Sequence, residues 1–309
     1  MDRWTNEHAG TEGSWPDVRG RLTMRVLLTG ASGFLGRRVA SLLARENAAV
    51  VAPGRTELDV TRDFGDFGTV ETVVHLAALT FVPQSWQQPG LFWQVNAGGT
   101  VNTLEYCRRH GASLVLVSSY CYGTPESLPI AEDAPLRPGN PYAFSKVAAE
   151  EACRYYAKDL GVPTIILRPF NIYGPGQDER FLIPTLVKQA LAPDVETVEL
   201  ADGEPRRDYV HLDDVARAVV AAALRKEKAG VFNVGSGRSH SVMEVVRLIL
   251  DVAGVAKPVV DRRETRPNEI MDTVADISAA ARDLGWRPRT SLEAGLAELV
   301  ADSRRRLAL

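Results

Sequence analysis

The fold of this chain is decided by residues 25–36, which read RVLLTGASGFLG. The first five residues form a short aliphatic run that predicts a buried strand, and a glycine-rich turn follows it directly. From residue 34 to residue 47, apolar side chains recur at helical spacing. A strand, a glycine turn and a helix in this order are typical of a dinucleotide-binding site, because free N–H groups at the helix N-terminus can bind a pyrophosphate.

Each glycine of this turn has a separate predicted task. Gly30 can adopt a positive φ in the tight turn. Gly33 has no side chain, so the backbone can approach a pyrophosphate, and Gly36 lets the helix lie close to the strand. A loop that only turns the chain is the alternative, and the flanking strand and helix favour the binding site over it.

Strands alternate with helices beyond this turn. The pattern predicts an α/β fold of Rossmann type, with a doubly wound parallel sheet covered by helices on both faces. A proline-containing loop is expected after the third strand. The predicted strands lie at residues 25–29, 50–52, 72–75, 113–117 and 162–167, and the helices at 34–47, 96–110, 142–160, 183–192, 215–226, 242–253 and 292–305.

The second half of the chain is less regular and predicts a smaller C-terminal α/β lobe for the substrate. We place the dinucleotide-binding domain at residues 24–172, with residues 210–238 returning to it, and the substrate lobe at 173–209 and 239–309. Residues 1–23 mix charges with Gly, Ser and Pro and lack an apolar segment. They predict a flexible extension and not a signal peptide. A short ordered arm that packs on a partner subunit is the alternative.

Composition excludes several classes of protein. The chain has 309 residues and a formal net charge of -3, with 45% hydrophobic and 24% charged residues, which is ordinary globular composition. The near-neutral charge favours neither a nucleic acid nor an anionic membrane as a partner, and no apolar run is long enough to cross a bilayer. The three cysteines lack the spacing of a metal site, so we expect no metal, and we expect reduced thiols in a cytoplasmic protein.

A second chemical signal lies at Tyr142 and Lys146, which are four residues apart and so share one face of a predicted helix. A cation beside a phenol favours the phenolate, so we expect Lys146 to lower the pKa of Tyr142 and allow proton exchange with a sugar oxygen. Ser118, at the end of a buried strand, can hydrogen-bond the same oxygen. Taken alone, the Tyr-Lys pair fits a solvated helix face and Ser118 fits a strand-end cap.

The glycine turn, the trio of Ser118, Tyr142 and Lys146, and residues 168–176 (RPFNIYGPG) together resemble the extended short-chain dehydrogenase/reductases. The nearest group is that of the nucleotide-sugar epimerases, dehydratases and ketoreductases, and the resemblance covers residues 24–299. It implies a Rossmann domain that holds NAD or NADP and a lobe that holds a nucleoside-diphosphate sugar. It also implies Tyr142 as catalytic acid/base, Lys146 as the ligand of the nicotinamide ribose, and Ser118 as the group that orients the reacting oxygen.

Further site residues follow from the same resemblance. Asp59 resembles an acidic residue that contacts adenine, and Asn171 an asparagine near the sugar diphosphate. Arg207 and Arg266 resemble an arginine clamp on that diphosphate, although an arginine pair can also be plain solvated surface. Asn96 resembles an asparagine in the helix behind the site, with a helix cap as its alternative role. The implied cofactor contacts are Gly30, Ser32, Gly33, Phe34, Leu35, Gly36, Arg55, Asp59, Val60, Leu76, Ala77, Ala78, Asn96, Tyr142 and Lys146, and the implied substrate contacts are Ser119, Tyr120, Asn171, Arg207 and Arg266.

At two places the sequence departs from the pattern of this group, and both departures narrow the range of reactions that we expect. Its dehydratases carry an acidic residue just after the catalytic hydroxyl, whereas Ser119 and Tyr120 follow Ser118 here, so the base that water elimination needs is missing. Its NAD-preferring members carry an acidic residue after the second strand, whereas this chain has Arg55, which can pair with the 2′-phosphate of NADP. An ordinary loop arginine in an enzyme that accepts both cofactors is the alternative.

The sequence therefore predicts a nucleotide-sugar oxidoreductase that transfers hydride at C4, foremost a reductase of a nucleoside-diphosphate 4-keto-6-deoxyhexose with NADPH. The first alternative is a 4-epimerase with tightly held NAD, which uses the same trio. A non-catalytic dinucleotide sensor on the same fold is the alternative from another class, and the intact trio argues against it. We also expect a homodimer, since members of this group commonly pair two long helices from each subunit, here residues 96–110 and 142–160.

Overall fold

The computed structural model describes residues 24–225, 229–264 and 269–307, and the extension predicted over residues 1–23 lies outside them. The strands are β1 (Arg25–Thr29), β2 (Ala49–Val51), β3 (Thr72–His75), β4 (Ser113–Val117), β5 (Thr164–Pro169), β6 (Asn171–Tyr173), β7 (Val198–Leu200), β8 (Arg206–His211), β9 (Ala229–Val234), β10 (Ser239–Ser241) and β11 (Val259–Asp261). The helices are α1 (Phe34–Arg45), α2 (Val82–Gln87), α3 (Pro89–Phe92), α4 (Gly99–His110), α5 (Pro141–Asp159), α6 (Leu182–Leu191), α7 (Leu212–Leu224), α8 (Val242–Ala253), α9 (Ser278–Asp283) and α10 (Leu292–Leu307).

Within the described residues, six strands form a parallel sheet in the order β2-β1-β3-β4-β5-β9. The chain leaves β1 in one direction to form β2 and returns to the other side of β1 to form β3. The carboxyl ends of β1 and β3 therefore lie at the switch point where open α/β sheets bind ligands. This architecture confirms the predicted α/β fold class.

Helices cover both faces of the sheet, and the side chains of β1 alternate between the two. Val26 and Leu28 join an apolar cluster with α1 and α7. Leu27 faces the other way and joins a cluster with α4 and α5. Because successive strand residues point to opposite faces, both clusters take part of their apolar surface from the same short strand.

A smaller α/β lobe is built from the later strands and helices. In the described ranges it contains the three-stranded sheet β10-β8-β6 and the parallel pair β11-β7. The helices α6, α8 and α10 bury an apolar cluster of their own, with Ile183, Val245 and Leu296 among its members. The residues at which the two domains divide stay a prediction. None of the helices that the structure describes is long and apolar enough to span a membrane.

Three elements differ from the sequence prediction. The loop expected after β3 contains α2 and α3, each with proline in its first turn, where a missing N–H costs no helical hydrogen bond. The helix expected from residue 96 begins as α4 at Gly99, and residues 96–98 belong to a π-helical turn at Trp93–Gly98. Helix α7 begins at Leu212, before residue 215. The buried His211 accepts a hydrogen bond from the Asp213 amide and so caps the helix.

Candidate active site

The turn after β1 is as tight as its glycines predict. Gly30 has a φ of +70°, and a Cβ there would lie 2.7 Å from the Ala77 nitrogen. A Cβ on Gly36 would lie 2.0 Å from the Gly30 oxygen. A side chain at either position would collide with backbone, so the close approach of β1, α1 and the segment after β3 requires glycine.

The backbone N–H groups at the N-terminus of α1 can donate hydrogen bonds to an anion. Gly33 is the N-cap and provides no side-chain cap, and the first turn, which is wholly described, carries no acidic residue. Free N–H groups and the positive end of the helix dipole favour a bound phosphate. The turn from Ser32 to Leu35 therefore fits the diphosphate of a dinucleotide.

Thr29 and His75 join the ends of β1 and β3. Thr29 Oγ1 lies 2.8 Å from His75 Nδ1, and the Ala77 amide donates to the same threonine oxygen at 3.2 Å. These bonds bring Leu76, Ala77 and Ala78, all predicted cofactor contacts, to the glycine turn.

Asn96 fastens the segment after β3 to α5. It is buried, its Oδ1 accepts from the Leu79 amide at 2.9 Å, and its Nδ2 donates to the Leu79 carbonyl and the Ser145 hydroxyl at 3.0 and 2.9 Å. Since Asn96 lies inside the π-helical turn, the helix-cap alternative is wrong.

The loop after β2 carries the predicted ribose and adenine contacts. The amide and hydroxyl of Thr61 donate to Asp59 and, with Arg62 and Arg55 adding to the effect, hold the pKa of its carboxyl below the usual range. The Glu57 carboxylate accepts a bond from the Gly54 amide at 2.7 Å. Arg55 is exposed in this loop, whereas Val60 is buried.

Tyr142 and Lys146 lie in the first two turns of α5, which begins at Pro141. The Asn140 side chain caps the helix by accepting from the Ala143 amide at 2.8 Å. Lys146 is buried, and its Nζ donates to the Val117 carbonyl at 2.7 Å. Burial lowers the pKa of this amine to about 8.

The pKa of Tyr142 moves in the direction opposite to our expectation. Burial raises it, Cys121 adds to the rise, and a hydrogen bond with Ser119 offsets only part of the effect. The expected lowering by Lys146 is wrong for this arrangement, because desolvation of the phenol outweighs the favourable contacts and the Lys146 amine is bonded to a backbone carbonyl.

The structure brings Ser119, not Ser118, to Tyr142. The Ser118 hydroxyl is buried and donates to Glu150 Oε1 at 2.6 Å, on the inner side of the strand end. The next residue, Ser119, is the one that acts on the Tyr142 phenol, whose pKa it lowers in part. Adjacent residues at the end of a strand face opposite ways, so the two serines have different surroundings. The role of Ser118 as the hydroxyl that orients the reacting oxygen stays a prediction, and in this structure that hydroxyl is bonded to Glu150.

The predicted substrate contacts Tyr120, Asn171 and Arg207 lie together. Tyr120 donates to Asn171 Oδ1 at 3.0 Å, and its ring stacks on Phe170 at 4.7 Å. Burial raises the pKa of Tyr120, and the charge of Arg207 opposes that rise. Arg207 itself forms an ion pair with Glu269, so the clamp expected to be free for a diphosphate has an internal partner.

The structure adds little on two further expectations, the role of Arg266 and the absence of a metal site. Arg266 lies outside the described residues. Among residues 24–225, 229–264 and 269–307, no group of three or more His, Cys, Asp or Glu side chains is arranged to hold a metal ion.

Comparison with known proteins identifies the family. A model of the NAD dependent epimerase/dehydratase family matches residues 26–235. The chain belongs to this family. The motifs had predicted it, so both the predicted family and the prediction of an enzyme are confirmed.

Relatives of this family member include reductases and epimerases. The GDP-6-deoxy-D-mannose reductase of Pseudomonas aeruginosa is 30% identical over 296 residues, covering 91% of this chain and 97% of that protein. The UDP-glucose 4-epimerase of Corynebacterium glutamicum is 31% identical over 303 residues, covering 86% of this chain and 91% of that protein. The structure of RMD from Pseudomonas aeruginosa complexed with NADPH superposes with a TM-score of 0.83 at 28% identity, covering 92% of this chain and 100% of that one.

Proposed function

We propose that this protein reduces a nucleoside-diphosphate 4-keto-6-deoxyhexose to its alcohol with NADPH. The observation that best supports this proposal is the environment of the Tyr120 hydroxyl. Where a dehydratase needs a carboxylate, this chain has a phenol that donates a hydrogen bond to Asn171 and whose pKa is raised by burial. A neutral phenol is a poor base for a carbon acid, whereas ketone reduction needs an acid at the oxygen.

The three residues around the reacting oxygen have distinct roles in this proposal. Bound NADPH would supply the hydride. Tyr142 donates a proton to the C4 oxygen, and its raised pKa keeps the phenol protonated at neutral pH, as a reductase requires. Ser119 donates a hydrogen bond that orients the same oxygen, and Lys146 binds the nicotinamide ribose.

The choice of NADPH rests on Arg55 and on the reductase relatives. The exposed guanidinium of Arg55 can donate a pair of hydrogen bonds to the 2′-phosphate of NADPH. The ribose of NADH has no phosphate at that position. The relative with NADPH bound and the relative named as a 6-deoxy-sugar reductase support the same cofactor and substrate class.

A 4-epimerase is the second candidate, because UDP-glucose 4-epimerases match over most of the chain. An epimerase must keep its dinucleotide through two opposite hydride transfers, whereas a reductase exchanges it in every cycle. We therefore suggest denaturing the purified protein and identifying the dinucleotide that is released. Little bound NAD, with added NADPH bound more tightly than NADH, supports the reductase. NAD in near-equal amount to the protein supports the epimerase.

We further propose a homodimer formed by the outer face of α5 and of the helical segment that contains α4 and the π-helical turn before it. Trp93, Phe144 and Tyr155 are 48%, 56% and 57% exposed, and the rings of Trp93 and Phe144 stack at 5.6 Å. Exposed aromatic side chains on adjoining helices favour burial in an interface. Light scattering after size exclusion is expected to give twice the chain mass, and Phe144→Glu with Tyr155→Glu to give a monomer.

A further inference from the structure

Two side chains of α5 hold two successive residues at the end of β4. Lys146 Nζ donates to the Val117 carbonyl at 2.7 Å, and the Ser118 hydroxyl donates to Glu150 Oε1 at 2.6 Å. Lys146 and Glu150 are one helical turn apart, so they lie one above the other on the same face. The direction in which the chain leaves β4, toward Ser119, is thus set by both contacts.

Glu150 is itself fixed in place. It is fully buried, and Arg168, only 2% exposed, donates to it from Nε at 3.0 Å and from Nη2 at 2.7 Å. Arg154 adds a bond at 2.9 Å. The other Arg168 terminal nitrogen donates to the Tyr122 hydroxyl at 2.8 Å. A buried carboxylate is tolerated when its oxygens are satisfied in this way, and such a paired group has little freedom to rotate.

We propose that Glu150 is a positioning residue of the active site. Locked by Arg168, it holds Ser118 so that Ser119 meets Tyr142, and it places a negative charge near the Lys146 ammonium. Neither the family model nor the sequence motifs assign it this role. The activity readouts below rest on the proposed reductase function, and the titration does not.

The charge of Glu150 matters because few other groups can stabilise the Lys146 ammonium. Burial lowers the pKa of Lys146, and Cys121, Glu150 and Cys153 oppose that shift. Burial raises the pKa of both thiols, that of Cys121 to about 12, so they are neutral near pH 7. Burial, with the positive charge of Lys146 adding to it, lowers the pKa of His75 to about 3, so His75 too is neutral near pH 7. Arg168 and Arg154 form ion pairs with Glu150, and Glu150 is the one carboxylate of the described residues that raises the pKa of Lys146.

The first test titrates Lys146 directly. The six lysines of the chain allow a well-resolved ¹³Cε spectrum, and Lys146→Met identifies the resonance of interest. We expect its pKa near 8 in the wild-type protein, and about one unit lower in Glu150→Gln, which removes the charge but keeps the shape. Glu151→Gln, a change at the exposed neighbouring carboxylate, is the matched control and leaves the pKa unchanged. Equal Lys146 titrations in the wild type and Glu150→Gln contradict the proposal.

The second test separates positioning from folding. Ser118→Ala keeps the Glu150–Arg168 pair and removes only the link to the strand end. We expect kcat to fall about 100-fold, with little change in KM, because a small displacement of a catalytic hydroxyl has that cost. Ser118→Thr keeps the hydroxyl and restores most of the rate. A wild-type kcat in Ser118→Ala overturns the proposal. This test remains valid even if Glu150→Gln fails to fold. If the wild-type protein reduces no 4-keto sugar, the proposed function fails, and the lysine titration still decides the role of Glu150.

Discussion

The hydroxyl of Tyr120 lies 3.0 Å from Oδ1 of Asn171, to which it donates a hydrogen bond. The ring is stacked on Phe170, so the phenol is held in one orientation, and burial keeps its pKa above the usual range. In the proposed function, this neutral donor occupies the position of the anionic base that water elimination needs. This pairing is the structural difference on which we base hydride transfer without dehydration.

We expect the protein not to eliminate water from unmodified nucleoside-diphosphate hexoses. Elimination across C5 and C6 requires removal of the C5 proton, and Tyr142 is already assigned to the C4 oxygen. Mass spectrometry after incubation with UDP-, GDP- and dTDP-hexoses and NAD or NADP tests this. Steady formation of a product lighter by one water would show that another base acts, with Tyr120 and Cys121 the first to examine.

Replacement of Tyr142 by phenylalanine is expected to lower kcat by about 10²–10⁴-fold, the usual contribution of a positioned proton donor. NADPH affinity stays near the wild-type value, because the ring still fills its space. Steady-state kinetics and fluorescence titration measure the two effects. Tyr155→Phe, at an exposed tyrosine of the same helix, serves as the control. Unchanged turnover in Tyr142→Phe would remove Tyr142 from the mechanism.

Replacement of Arg55 by alanine is expected to weaken NADPH binding about tenfold or more and NADH binding much less. A charge-assisted hydrogen bond contributes roughly 1.5–3 kcal/mol, and the 2′-phosphate is present in NADPH alone. Paired titrations of both dinucleotides measure the difference, with Arg62→Ala in the same exposed loop region as the control. Equal losses for both dinucleotides would mean that Arg55 only shapes the loop.

Buried His75 is expected to make the folded state sensitive to acid. Burial lowers its pKa to about 3, against 6.5 for the free side chain. Between these values the unfolded chain binds a proton that the folded chain does not, so His75 favours folding above pH 6.5 and loses this contribution as the pH falls toward 3. Urea unfolding at pH 7.5 and pH 5 measures the loss, which is expected to be smaller in His75→Gln. His240→Gln, a more exposed histidine, is the control, and equal pH dependence in His75→Gln and the wild type contradicts the account.

The parts of the fold that depend on local rules were predictable from the sequence. Backbone atoms lie so close to Gly30 and Gly36 that a side chain at either position would collide with them, so the two glycines alone predict the tight turn. The shared helix face of Tyr142 and Lys146 follows from their spacing. The parallel sheet follows from the alternation of apolar strands with helices.

The parts that depend on distant contacts were not predictable. The sequence predicts that the Ser118 hydroxyl orients the substrate, and it gives no sign that Glu150, 32 residues later, accepts a hydrogen bond from that hydroxyl. The pKa of Tyr142 depends on how deeply the phenol is buried, which spacing does not reveal. The ion pair of Arg207 with Glu269 likewise joins two segments whose contact arises only in the folded lobe.

The central claim is tested most directly by giving the protein a nucleoside-diphosphate 4-keto-6-deoxyhexose and NADPH and following nicotinamide absorbance together with the sugar product. We predict that one NADPH is oxidised for each ketone converted to an alcohol, with NADH a poorer substitute. Absence of NADPH oxidation, together with interconversion of nucleoside-diphosphate hexoses at C4 by protein-bound NAD, would contradict the reductase and identify an epimerase.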